Sequence, residues 1–334
     1  MHLIGMKIDE VRIDGRMDCF QKDLEELNYM GIKAVELPVH GMDVILNGQI
    51  NHRRMDQVTE ILKPFKFRYS VHSPNPLNLM DKEEPKLHAD ILAASLEFAR
   101  QVGAKAVVVH SGRFIPEELF TLCPARDIPE REKARLLAQE ARILQEVCAL
   151  YPDVTVALEN ARPYLSQSPY CYAERLGNLK TQVLDVNRDN VRINLDFGHL
   201  FMCATFYDFD PMAEVSQIRG LVAHTHIHDN FGGAVHHFQK QQTHQLPLGK
   251  GDSHMPVGWG SVPVAGMLQQ ILPEYEGLFM MELRSRYFND IQESKLNLRK
   301  IIMQINQGEN GVNLSRDLHP DRSTTQKTHH RHQI

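Results

Sequence analysis

The sequence has few cysteines, and none of them lies in a pattern typical of a metal or redox motif. Five cysteines occur among the 334 residues. They are scattered and odd in number, and no two form the Cys-x-x-Cys pair expected of a zinc ribbon or a redox site. This usage is typical of a protein that resides in a reducing cytosol.

The sequence also lacks a surplus of basic residues and any long apolar run. Its net charge is −5, with 37 Lys and Arg against 42 Asp and Glu, so it has no general affinity for a nucleic-acid backbone. We therefore do not expect duplex DNA as a partner, although a small basic site remains compatible with this charge. No apolar run approaches the roughly 18 residues of a membrane span, and no basic stretch precedes an apolar one at the N-terminus. We expect a cytoplasmic, soluble protein without a membrane partner.

Neither a Gly-x-Gly-x-x-Gly motif after the first predicted strand nor a Walker loop is present, which argues against a dinucleotide-binding sheet. Instead, short β-type apolar runs alternate with longer amphipathic segments. The strands are predicted at residues 3–8, 32–37, 67–72, 104–110, 154–159, 191–196, 221–228 and 278–283. Helices are predicted at residues 17–30, 54–64, 84–102, 130–150, within 169–186, within 211–219, 262–272 and 289–306.

Eight β/α units at this length favour an α/β fold of the (β/α)₈ TIM-barrel type over an open doubly wound sheet. We predict one catalytic domain over residues 1–306 with a polar loop insertion at residues 231–250. Residues 307–334 are rich in His, Thr and Arg and are predicted to form a flexible tail.

Polar residues follow the predicted strands where the active sites of TIM barrels are built. Any one of them alone is more often structural than functional. Together they would bury so many carboxylates that a divalent metal is the simplest source of compensating charge. These candidate ligands are His72, His110, Glu159, Asp196, His199, His226, Asp252, His254 and Glu282.

The same segments form an ordered series of motifs that resembles the xylose isomerase-like TIM-barrel superfamily. This superfamily includes sugar and sugar-phosphate isomerases and epimerases together with endonuclease IV-type enzymes of AP endonuclease family 2. The resemblance covers residues 67–285 and implies a metal-dependent barrel enzyme. The motifs are Val71–Pro74, Val109–Gly112, Ala157–Asn160, Asn194–His199, His226–Asp229, Asp252–Gly260 and Met281–Arg284.

The resemblance implies two alternative metal centres. In the isomerase and epimerase members, one metal would be held at the positions of Glu159, Asp196, His226 and Glu282. In the endonuclease-like members, two further zinc ions would use the positions of His72, His110, His199, Asp252 and His254. Because all of these positions are filled, we predict up to three divalent ions, zinc first and manganese as the second choice.

We therefore predict a metal-dependent hydrolase of phosphoesters or phosphodiesters, with a small phosphorylated or nucleotide-like substrate. The alternative is a sugar or sugar-phosphate isomerase or epimerase in which Glu159 and Glu282 serve as catalytic acid and base. A third possibility is a metal-binding scaffold without enzymatic activity. Predicted substrate contacts are Asn160, His228 and Arg284, and Asp229 is a candidate for orienting a ligand imidazole.

Overall fold

The alternating segments form a closed barrel of eight parallel strands in the computed structural model, which describes residues 3–239 and 242–308. The strands are β1 (Ile4–Lys7), β2 (Ala34–Pro38), β3 (Ile45–Leu46), β4 (Gln49–Ile50), β5 (Arg68–His72), β6 (Ala106–His110), β7 (Thr155–Glu159), β8 (Val191–Asp196), β9 (Val222–Ile227) and β10 (Phe279–Met281). Around the barrel the strand order is β1, β2, β5, β6, β7, β8, β9 and β10, and β10 pairs with β1. A short antiparallel hairpin of β3 and β4 forms a separate sheet.

Helices follow the strands along the chain and surround the barrel. Some of them end at a residue with left-handed geometry: Gly103, for example, has a φ of 72° directly after α4, as expected for a glycine that terminates a helix. The helices are α1 (Glu10–Ile13), α2 (Met17–Tyr29), α3 (His52–Leu62), α4 (Pro85–Val102), α5 (Glu130–Cys148), α6 (Leu176–Val186), α7 (Phe197–Tyr207), α8 (Pro211–Ser216), α9 (Val264–Ile271) and α10 (Ile291–Asn306).

The predicted (β/α)₈ TIM barrel is confirmed, and each predicted strand overlaps an observed barrel strand. Three elements were not predicted: α1, the β3–β4 hairpin and α7. The short ones lack the length that a periodic pattern needs to be seen. Helix α7 is apolar on nearly every side and therefore shows little amphipathic periodicity.

A chain of polar side chains runs through the interior of the barrel. Alternate strand residues such as Glu36, Ser70 and His224 contact one another across the interior. Since side chains alternate along a strand, their apolar neighbours Val35 and Val71 face the surrounding helices. The hydrophobic core thus lies between strands and helices, which leaves the barrel axis for charged groups.

Residues 235 and 237 of the predicted insertion contact other loops at the mouth of the barrel, the end at which the carboxyl ends of the strands lie. Leu165 donates a backbone hydrogen bond to Val235 at 3.0 Å, and the ring of Phe120 lies 5.5 Å from that of Tyr164 and 5.2 Å from that of His237. The predicted His-rich tail lies outside the described residues apart from residues 307 and 308. Within the described part of the chain, no helix has the length and hydropathy needed to cross a bilayer.

Candidate metal centre

All nine predicted ligands come together at the carboxyl ends of the barrel strands. Glu159 and Asp196 are the last residues of β7 and β8, His226 lies one residue before the end of β9, and Glu282 follows β10 directly. Because parallel strands in a closed barrel end at the same rim, residues that are far apart in the sequence meet in one place.

Four of these ligands form a primary group: Glu159, Asp196, His226 and Glu282. One ligand atom from each lies within 4.8 Å of all the others. Nδ1 of His226 is at the centre, 3.0 Å from Oε2 of Glu282, 3.3 Å from Oε2 of Glu159 and 3.9 Å from Oδ2 of Asp196. Three carboxylates therefore surround a single imidazole nitrogen.

The charges of the primary group stabilise one another despite their burial. Burial alone would raise the pKa of Glu159 and Glu282, but the adjacent His226 lowers both well below the ordinary value. Burial would lower the pKa of His226, yet the carboxylates of Glu282, Glu36 and Glu159 raise it well above the ordinary value. Nδ1 of His226 and Oε2 of Glu282 are buried without a hydrogen bond to any described residue. A set of three carboxylates and one imidazole fits a divalent metal.

A second group lies beside the first and shares Glu159 with it. One ligand atom from each of His72, His110 and Glu159 lies within the same 4.8 Å limit. Nδ1 of His72 is 2.7 Å from the carbonyl oxygen of Ser73, which leaves Nε2 turned toward Glu159 at 3.9 Å. Burial lowers the pKa of His110 to about 3. A neutral imidazole with a free lone pair can bind a metal or accept a hydrogen bond from a hydroxyl.

A third group contains His199, Asp252 and His254, and the structure adds His228 to it. Oδ2 of Asp252 is 2.9 Å from Nε2 of His254 and 3.4 Å from Nε2 of His199. Nδ1 of His254 is 3.0 Å from the carbonyl oxygen of Glu282, so the ring is held between this group and the primary one.

Each primary ligand has one further buried partner that fixes its orientation. Nδ2 of Asn194 donates to Oε2 of Glu159 at 3.0 Å, and Nε2 of His228 is 3.2 Å from both carboxylate oxygens of Asp196. On the other two ligands, Nζ of Lys7 is 3.2 Å from Oε1 of Glu282, and Oε1 of Glu36 is 2.8 Å from Nε2 of His226. Such outer partners orient the ligands and tune the affinity of metal sites.

Sequence reasoning missed Lys7 and Glu36. A signal for both exists in the sequence, because each is a lone charged residue in an otherwise apolar strand. Such a residue in a strand whose neighbours are all buried requires a partner of opposite charge or a hydrogen-bonding partner. The identity of that partner cannot be read from the strand itself.

The three predicted substrate contacts occupy different positions. Arg284 borders the cavity above the primary group and donates from Nη2 to the carbonyl oxygen of Asp252 at 2.7 Å. Asn160 uses its amide to bind the backbone of Asp196 at 3.0 and 2.8 Å. His228 is fully buried and its ring stacks on that of His254 at 3.9 Å.

The proposed role of Asp229 in orienting a ligand imidazole is wrong. Its buried carboxylate instead accepts hydrogen bonds from the backbone N–H groups of Asn230, Gly258 and Val262 at 3.0, 2.9 and 3.0 Å. A carboxylate that accepts three backbone hydrogen bonds holds the loop after Asp252 in place.

Two adjoining cavities open over the ligand groups. One of about 200 Å³ is bordered by Lys7, Glu159, Glu282 and Arg284, among others. The other, of about 440 Å³, extends past His110 toward the loop that follows β6. Together they provide room for a small polar molecule in contact with the primary group.

A sequence model described as "Xylose isomerase-like TIM barrel" matches residues 24–302. The chain belongs to this family. No curated protein matches the sequence.

Many solved structures share the fold of this xylose isomerase-like barrel. A D-tagatose 3-epimerase-like protein superposes with a TM-score of 0.66 at 17% identity, covering 91% of this chain and 99% of its own. A 3-keto-D-glucoside 4-epimerase from E. coli gives 0.64 at 15% identity, with 90% and 100% covered. A D-psicose 3-epimerase from Clostridium cellulolyticum H10, solved with D-tagatose, gives 0.66 at 12% identity, with 90% and 99% covered.

These comparisons correct the predicted function. Two of these three structures are named sugar epimerases and the third is named epimerase-like, which contradicts our prediction of a hydrolase of phosphoesters and favours the isomerase or epimerase alternative. The physical reason for the error is that a strand-end set of His, Asp and Glu residues can serve either chemistry.

Proposed function

We propose that this member of the family is a metal-dependent sugar isomerase or epimerase. The observation that carries the proposal is the placement of Glu159 and Glu282, which flank Nδ1 of His226 at 3.3 and 3.0 Å and both border the 200 Å³ cavity. Proton transfer next to a sugar carbonyl needs an acid and a base on either side of one carbon.

The chemistry follows from the way these two carboxylates are held. When bound, a divalent ion polarises the carbonyl group of a ketose and acidifies the adjacent C–H group. Oε1 of Glu159 lies 3.2 Å from Nδ1 of His199, whereas Oε1 of Glu282 lies 3.2 Å from Nζ of Lys7. One carboxylate removes the proton, and the other supplies a proton to the opposite face of the same carbon in an epimerase. In an isomerase the proton is delivered to the neighbouring carbon, and a second proton passes from the hydroxyl oxygen to the former carbonyl oxygen.

We propose Glu159, Asp196, His226 and Glu282 as the ligands of the catalytic ion. Three carboxylates and one imidazole form an oxygen-rich donor set, which favours Mn²⁺ over the zinc expected from the sequence. Element analysis of the purified protein, followed by reconstitution of metal-free protein with each ion, tests this assignment.

The other predicted ligands remain proposals. We propose that His72 with His110 and Glu159, and His199 with Asp252 and His254, can hold additional ions; His228 is a further donor in the second set. Equilibrium dialysis against Mn²⁺ and Zn²⁺ counts the ions. A stoichiometry of one per chain would mean that these histidines instead contact substrate hydroxyls directly.

For the substrate we propose a ketose or a ketose phosphate. The names of the similar structures, with D-tagatose and D-psicose among them, support a free ketose. A phosphate group would be bound by Arg284 and by Arg162, which borders both cavities, because a guanidinium group forms two parallel hydrogen bonds to phosphate oxygens.

Proton exchange tests this function even while the product is unidentified. The Mn²⁺-loaded protein is incubated in D₂O with D-fructose, D-tagatose, D-psicose and their phosphates, and NMR measures deuterium at the carbon beside the carbonyl. We expect exchange with at least one sugar and a loss of at least about 100-fold in Glu159→Gln and Glu282→Gln. Glu97→Gln, an exposed carboxylate on α4, is the control and should retain wild-type exchange. An absence of exchange with every sugar would contradict the proposal.

A further inference from the structure

A buried carboxylate lies beneath the primary group, on the far side of His226 from the cavity. Oε1 of Glu36 is 2.8 Å from Nε2 of His226, and Oε2 is 2.8 Å from Nε2 of His224. The hydroxyl of Ser70 donates to the same Oε2 at 2.8 Å. All four side chains are at most 1% exposed, so no solvent competes with these hydrogen bonds.

Resting on the proposed function, we infer that Glu36 is a positioning residue that fixes the His226 ring with Nδ1 toward Glu159, Asp196 and Glu282 and thereby sets the metal affinity of the primary group. Rotation of the ring by a half-turn about its Cβ–Cγ bond would bring Cδ2 to the position of Nδ1 and Cε1 to the position of Nε2, so that carbon atoms would face both the primary group and Glu36. Hydrogen bonding of Nε2 to a carboxylate leaves Nδ1 as the nitrogen whose lone pair faces the ion.

Glu36 reaches His226 through the interior of the barrel. It lies on β2, which is separated from β9 by β1 and β10, so neighbouring strand pairing does not enforce the contact. Burying a carboxylate on the barrel axis is costly unless it is fully hydrogen-bonded. Glu36 meets this condition only when His226 presents Nε2 to it, and an inverted ring would lose that bond.

The neighbouring rings do not distinguish the two orientations. His72 stacks on His226 with centroids 5.6 Å apart and an interplanar angle of 12°, and His224 meets it edge-on at 5.8 Å. Ring stacking of this kind is nearly unchanged when the imidazole is inverted. Apart from the ligands of the primary group themselves, Glu36 is therefore the described residue whose hydrogen bond favours the orientation in which Nδ1 faces that group.

Affinity for Mn²⁺ tests the inference independently of catalysis. Competition with a fluorescent chelator gives the dissociation constants of wild type, Glu36→Gln and Asp23→Asn. Asp23 is the matched control, because it is also a buried carboxylate but pairs with Arg12 at 2.8 Å. We expect Glu36→Gln to bind Mn²⁺ about 10–100-fold more weakly and Asp23→Asn to bind it with unchanged affinity. Equal affinity of wild type and a folded Glu36→Gln would overturn the inference.

A second measurement uses the wild-type protein alone and remains decisive if Glu36→Gln does not fold. ¹⁵N NMR of the Zn²⁺-loaded protein should show Nε2 of His226 protonated and Nδ1 bound to the ion. Coordination of the ion by Nε2, as a site between Glu36 and His72 would produce, would overturn the inference while leaving the proposed function intact. If wild type binds neither Mn²⁺ nor Zn²⁺, the proposed function fails first, which separates the two results.

Discussion

Lys7 places a buried ammonium group between two carboxylates at the end of β1. Nζ is 2.9 Å from Oε2 of Glu10 and 3.2 Å from Oε1 of Glu282, and the residue is 5% exposed. The ammonium thus neutralises part of the negative charge of the primary group from the side opposite to His226. A cation bound in the primary group would neutralise part of the same negative charge.

We predict that Lys7→Met lowers the free energy of unfolding of the metal-free protein by about 3 kcal/mol, because it removes the ammonium partner shared by two largely buried carboxylates. Saturating Mn²⁺ should remove a large part of this deficit, since the ion then compensates Glu282. Urea unfolding with and without Mn²⁺ measures both values. Lys63→Met, which breaks an exposed pair with Glu60, should cost less than about 1 kcal/mol. The same deficit with and without Mn²⁺ would contradict the prediction.

Single residues also show where sequence reasoning ends. His72, His110 and Glu159 could be placed at the mouth from the sequence, because a polar residue at the end of a parallel strand has only one rim to occupy. Glu36 could not be connected to His226, since the two are 190 residues apart and the contact depends on how the closed barrel brings opposite strands together.

Helix α7 begins immediately after Asp196 and places two residues of the site. Asp196 caps the helix by accepting a hydrogen bond from the N–H group of His199 at 2.6 Å. One residue earlier, Gly198 lies so close to His228 that an added Cβ would be 2.1 Å from Cε1 of that ring. The glycine therefore provides the space in which His228 reaches Asp196.

We predict that Gly198→Ala displaces His228, lowers the free energy of unfolding by about 1–3 kcal/mol and weakens Mn²⁺ binding at least about tenfold. Gly177→Ala is the matched control, because Gly177 is also helical and an added Cβ meets nothing within 4 Å. That variant should be as stable as wild type or more stable by up to about 1 kcal/mol. Thermal unfolding measures the stability of each variant, and Mn²⁺ titration measures its metal affinity. Equal stability and equal Mn²⁺ affinity of Gly198→Ala and Gly177→Ala would contradict the prediction.

Helix α5 carries a buried acid that couples it to the loop after β6. Oε1 of Glu140 accepts a hydrogen bond from the N–H group of Gly112 at 2.7 Å, and Oε2 accepts one from Nε2 of Gln182 at 2.9 Å. Burial raises the pKa of Glu140 from 4.5 to about 7. The folded protein thus holds this proton more tightly than the unfolded chain does.

A native state that binds more protons than the unfolded state loses stability as the pH rises. Between pH 4.5 and about 7, Glu140 should therefore reduce the free energy of unfolding by up to about 3 kcal/mol. Glu140→Gln removes this contribution, so the variant should gain stability relative to wild type as the pH increases. Urea titrations at several pH values measure the difference; a difference that is constant with pH would contradict the prediction.

At the level of elements, the strands were predictable and α7 was not. Each barrel strand is a short apolar run followed by a polar residue, a pattern that stands out against amphipathic helices. Helix α7 offers no such contrast, because it is apolar on nearly every side. Its first residue is also difficult to place, since the capping residue Asp196 is at the same time the last residue of β8 and a predicted ligand.

For the whole molecule, eight repeats of strand and helix made the barrel predictable. The sequence did not make the reaction predictable. Glu159, Asp196, His226 and Glu282 are the ligands expected of a sugar epimerase, and the histidines beside them led to the hydrolase prediction. Residue types at strand ends define which cations the mouth can hold. The bond that is made or broken depends on the shape of the cavity, which the loops determine.

The connection from Glu36 on β2 to His226 on β9 has a kinetic consequence. The primary group takes its ligands from β7, β8, β9 and β10, and the hydrogen bond to Glu36 forms only once β1 has closed the barrel against β10. The ion should therefore bind after the folding barrier has been crossed.

We predict that Mn²⁺ at about 100 times its dissociation constant slows unfolding about 100-fold and leaves the refolding rate unchanged. Stopped-flow measurements in urea give both rates, and faster refolding with Mn²⁺ would mean that the site assembles early. The bound ion would thus slow the opening of the closed barrel without accelerating its formation.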